Sequence, residues 1–139
     1  MIWPFQRADT QPEQALTVLT PFFVNTLEGF DNSVAQAASA RRLTECYVYG
    51  AIRYLVSYDE MKAGSTNKLF ATALSQHFAA SAGDIENCHN FIRNIRPGGN
   101  EQLFMIEGAS ALRRMLVEAD NNSGRNLQAL LKLHCATNP

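Results

Sequence analysis

The sequence predicts an all-α fold: a compact antiparallel bundle of five to seven helices around one long central helix at about 34–61. Three observations carry this. Apolar residues recur three and four apart through most of the chain, the spacing of a helix face. No two-residue alternation rich in β-branched residues persists long enough to make a strand. Capping signals and Gly, Pro or Asn clusters punctuate the apolar runs, so the connections are short and neighbours run antiparallel. At 139 residues the chain suits a single core, and 1–139 reads as one helical domain.

Residues 1–9 read as an apolar tail. Ile2, Trp3 and Phe5 around Pro4 are too apolar for a solvated arm and are expected to fold back on the bundle. Trp3 is also a candidate anchor in a partner's groove, because buried aromatics dominate such contacts. Thr10-Gln11-Pro12-Glu13 matches a capping box, and Leu16, Leu19, Phe23, Leu27 and Phe30 follow at helical spacing. Pro21 is expected to kink or break that helix near Thr20.

Ser33-Val34-Ala35-Gln36 is a second capping box and opens the spine. Leu43, Ala51, Tyr54, Tyr58 and Met61 fall within about 40° of Tyr47, with Gly50 beside them. Val48, Ile52 and Leu55 form another apolar strip. A helix apolar on more than one side must be enclosed by others, and this one would be roughly 40 Å long. Lys62-Ala63-Gly64 is its expected stop.

Ser65 or Thr66 should cap the next helix, to about Ala82, with Leu69, Phe70, Ala73, Leu74 and Phe78 on one face and His77 among them. Asp84 is expected to cap a short helix with the stripe Ile85, Cys88, Ile92 and Ile95, stopped by Arg96-Pro97-Gly98-Gly99. Asn100 should cap a helix to about Asp120 whose buried face is Phe104, Gly108, Ala111, Leu112, Met115 and Ala119. Gly108 and Ala111 would allow a close crossing. After Ser123, a final helix puts Leu127, Leu130, Leu131 and His134 together.

Twelve basic residues against thirteen acidic ones give a formal charge of −1. That balance excludes a dedicated nucleic-acid binder, which needs a clustered basic excess. No run approaches the ~18–20 apolar residues of a membrane span, so no transmembrane segment is expected. Three cysteines behind an N-terminus without a signal-peptide pattern point to a reducing, cytoplasmic setting.

Chemistry is poorly advertised. Cys88-His89 and His134-Cys135 are adjacent pairs, which on a helix point about 100° apart and chelate poorly. No metal and no cofactor are expected. No acid–base pair, nucleophile triad or phosphate loop is legible. His77 on an apolar face needs a hydrogen-bond partner. Tyr47, Tyr54 and Tyr58 share a side of the spine, and with His77 they are the candidate lining of a pocket between helices. Leu103, Ile106 and Val117 lie off the buried face of their helix, beside Arg113 and Arg114. Apolar residues rimmed by arginine resemble an interface core. These observations predict a non-catalytic interaction or regulatory module, of adaptor, inhibitor or immunity type, whose partner is a protein or a second copy. The alternative is a small-molecule or cofactor-binding helical sensor with a pocket near Tyr54, Tyr58 and His77.

Overall fold

The computed structural model describes residues 17, 19–22, 38–58, 64–77, 81–120 and 126–136. Within them the regular elements are all helices: α1 (Ala38–Tyr58), α2 (Ser65–His77), α3 (Ala82–Arg93), α4 (Asn100–Glu118) and α5 (Asn126–Ala136). Thr17 and residues 19–22 are also helical. The all-α bundle around a long central helix is therefore the observed fold. The tail 1–9 with Trp3, the caps at Thr10, Ser33 and Ser123, and Phe78 lie outside the described residues, as do the side chains of His77, His134 and Cys135.

Helix α1 is unbroken through the described part of the spine and packs against α4, α2 and α5. Leu43, Tyr47 and Ala51 on one side and Val48, Ile52 and Leu55 on the next are all buried, and so is Cys46 on the other flank of Tyr47. Burial on several sides is what its apolar circumference requires. Arg53 and Ser57 mark the side left to solvent.

Among the described helices the most extensive contact is α1 with α4, and two glycines make it possible. A Cβ on Gly50 would lie 2.0 Å from the Met105 carbonyl oxygen, and one on Gly108 would lie 1.9 Å from that of Tyr47. The contacts are reciprocal and run in opposite directions along the two helices, which makes the pair antiparallel. Backbone meets backbone, and Phe104, Ala111, Leu112, Met115 and Leu116 fill the flanks.

Two caps differ from expectation. Ser81, not Asp84, is the N-cap of α3: its hydroxyl accepts from the Asp84 amide at 3.2 Å, and the Asp84 carboxylate accepts from the Ser81 amide at 3.0 Å. Asp84 is the third helical residue of a capping box, and these bonds hold its exposed carboxyl below the usual range. Gly99, not Asn100, precedes α4, while the Gly98 amide donates to Gln102 Oε1. Ala119, expected on the buried face, is exposed with a left-handed φ of 56°. Helix α4 has already ended at Glu118, and the Asp120 amide closes it on the Arg114 carbonyl.

Rings tie the smaller helices to the spine. Tyr49 of α1 meets Phe70 of α2 edge-on at 5.1 Å, and Phe70 meets His89 of α3 at 5.7 Å. Arg42 of α1 lies 4.1 Å over the Phe91 ring of α3. Residues 19–22 are helical through Pro21, with no break in helical backbone at Thr20, and deliver Phe22 onto the Tyr47 ring at 6.2 Å.

Candidate functional site

Because α4 turns one face to the core, its other face is outward. Leu103, Ile106 and Val117 are 37%, 58% and 46% exposed, with Ser110 and Arg113 in the same strip. Arg113 pairs with Glu118 at 3.3 Å, and Arg114, half-buried, donates to Ser110 Oγ at 3.0 Å. The arginines expected at this rim are thus held by their own helix. Leu133 of α5 is a further exposed leucine that the sequence pattern did not single out.

A groove runs beside this strip. Its floor is the solvent side of α1 at Gly50, Arg53, Tyr54 and Ser57. One wall is Ile92, Ile95 and Pro97 at the end of α3, and the other is Gln102, Met105, Ile106 and Ala109 of α4. The groove exists because α3 packs on α2 while α4 packs on α1, leaving a gap where the two would meet. Its volume is about 640 Å³. A narrower recess of about 200 Å³ adjoins it, sharing Arg53, Ile92 and Met105 and adding Tyr49, Asn67, His89 and Arg93.

Compared with protein-family models, with curated proteins and with solved structures, the chain matches none.

Of the residues read from the sequence as pocket lining, the three tyrosines are described and are not all brought to one space. Tyr54 lines the groove and stacks on Tyr58 at 5.8 Å. Tyr47 lies in the closed core, where its hydroxyl donates to Asn126 Oδ1 of α5. It shares the spine's apolar direction with Tyr54, but α4 covers that direction at residue 47 and leaves it open at residue 54. Sequence reasoning missed Arg53, Ile92, Met105 and His89 as neighbours. The only signal was Arg53 as the one charge inside the longest apolar run. Among the described residues no group of three or more His, Cys, Asp or Glu is placed to hold a metal ion, and no helix is long and apolar enough to cross a membrane.

Glu45 of α1 is buried, 3.6 Å from Arg41 Nε, with the Cys88 thiol within its electrostatic reach. Burial pushes the Cys46 thiol up to about 12 from an ordinary 9.0, with the charges of Glu101 and Glu45 adding and Arg42 opposing. Cys88 is raised further, by burial first and then by Glu45. Thiolate is the reactive form, so alkylation of both at pH 8 should be at least about a hundredfold slower in the native protein than in urea, as read by mass mapping. Both folded values lie above the unfolded one. The stability they contribute is therefore complete below pH 9 and declines as pH rises through about 12.

Proposed function

We propose that this protein works by binding another protein, as an adaptor, inhibitor or immunity-type regulator, and not by catalysing a reaction. One observation carries the reading: α4 is apolar on two opposite faces. The inner face, from Phe104 to Leu116, holds the helix to the fold, and a helix needs only one such face. The outer strip of Leu103, Ile106 and Val117 has no covering element among the described residues. Arg113 is paired with Glu118 and Arg114 is bonded to Ser110, which favours an apolar partner surface over an acidic one. The strip is also self-complementary. An antiparallel two-fold contact centred on Ser110 sets Leu103 of one copy opposite Val117 of the other, the geometry of an isologous dimer. The free thiols of Cys46 and Cys88 support a cytoplasmic setting.

The test places a photo-cross-linking residue at position 106 in the producing cells and compares it with the same protein carrying Leu103→Asp and Val117→Asp. A discrete adduct, with the protein itself or with one other protein, that the double variant abolishes is the expected result. The variant's unfolding free energy should stay within about 1 kcal/mol, as for surface positions. An unaltered adduct, or none from a folded protein, would overturn the proposal.

The groove favours a second reading, a module that holds a small molecule. Its volume lies in the range of about 300–1,000 Å³ typical of ligand sites, and its mixed apolar and polar lining is also typical.

A further inference from the structure

The groove's charge is one-sided. Arg53 stands in its floor and Arg93 in the recess, both exposed and without an ion-pair or hydrogen-bond partner among the described residues, and no described residue lining either space is acidic. Arg41, Arg42, Arg113 and Arg114 are by contrast each engaged by a neighbour, while Arg96, just past the end of α3, is exposed like Arg53 and Arg93. The walls around Arg53 are apolar, chiefly Ile92, Ile95 and Met105. In the recess, the buried His89 Nε2 has no hydrogen-bond partner within the protein, and an unsatisfied buried nitrogen calls for an explanation.

We infer that the groove between α3 and α4 binds an amphipathic carboxylate, its head on Arg53 and its acyl or aryl body along Ile92, Ile95 and Met105. This rests on the small-molecule reading above and deepens it. A guanidinium meets a carboxylate through two parallel charge-assisted hydrogen bonds, and the low polarity of the surrounding walls strengthens them. The wide part of the groove holds one guanidinium, matched by one negative charge. A planar monoanion fits that count better than a phosphate dianion. Arg93 and His89 lie farther along and favour a second polar atom on longer ligands.

Calorimetric titration with decanoate, methyl decanoate and decyl phosphate tests the assignment. Decanoate should bind saturably at one site. Arg53→Gln should weaken it roughly tenfold, the loss of one charge-assisted pair, with an unchanged thermal midpoint. Leu103→Asp should leave it unaffected, which separates this site from the protein-binding strip. Methyl decanoate binding as well as decanoate, with Arg53→Gln without effect, would overturn the anionic assignment while leaving a small-molecule site. Decyl phosphate binding more tightly than decanoate would overturn the choice of head group. No saturable binding of any of the three would overturn both readings.

Discussion

Replacing Gly108 by alanine should cost this protein about 3 kcal/mol or more, a large share of a small domain's stability. In most helices the change would stabilise by up to about 1 kcal/mol, because alanine is the better helix former. Here the new methyl would sit 1.9 Å from the Tyr47 carbonyl oxygen. The obstacle is backbone, so no rotamer change relieves it and α4 must lift off α1. Gly50→Ala meets the same barrier at Met105. Because the two sites share one crossing, their effects should not add. Gly83→Ala is the control: in the first turn of α3 its Cβ meets nothing nearer than Ser81 Oγ at 3.9 Å, so the ordinary gain should appear. Urea denaturation of the three variants decides the matter, and a Gly108→Ala protein as stable as the parent would show that the helices do not approach this closely.

Tyr47→Ala should be comparably severe, about 3–5 kcal/mol, as for other buried aromatics cut back to alanine. The ring is wholly buried, stacks on Phe22 and carries the bond that ties α1 to α5. Asn126, which accepts that bond, also donates to Glu107 of α4 at 3.4 Å, so one tyrosine anchors a junction of three helices. Tyr47→Phe isolates the polar share and should cost about 1–2 kcal/mol. Its pH dependence is a sharper check. Burial raises the Tyr47 hydroxyl well above its ordinary 10.0, with Arg114 opposing and Glu107 adding. The folded value exceeds the unfolded one, so this contribution is complete below pH 10 and falls as pH rises beyond it. Phenylalanine has no such loss, and the stability gap between the two proteins should narrow from pH 9 to pH 11. A gap that widens would contradict the buried, protonated hydroxyl.

The fold was legible in particular residues. Leu43, Val48, Tyr47, Ile52 and Leu55 placed apolar surface around the spine, and all are buried. Gly108 with Ala111 announced a close crossing. Gly50 did not, because a lone glycine among large apolar residues carries no sign of what it faces. Ser81 was overlooked as a cap because Asp84 is itself a good capping residue, and only the two amide bonds distinguish the roles. Leu103, Ile106 and Val117 stood off the buried stripe by periodicity alone, and they are exposed.

The groove was not legible, and the reason is geometric. Arg53, Ile92 and Met105 are well separated in sequence and belong to three helices, each read separately by its own apolar stripe. A helix's period tells which residues share a face. It does not tell where along the axis a neighbour stops covering that face. Tyr47 and Tyr54 point the same way from α1, yet one is sealed beneath α4 and the other opens onto the groove. Sequence alone therefore determined an all-α bundle, an enclosed spine and the outward strip of α4, since these follow from local spacing and hydrophobic burial. The tertiary structure alone decided which tyrosine became core, which arginine stayed unpaired and where a cleft remained, because each depends on where three helices meet.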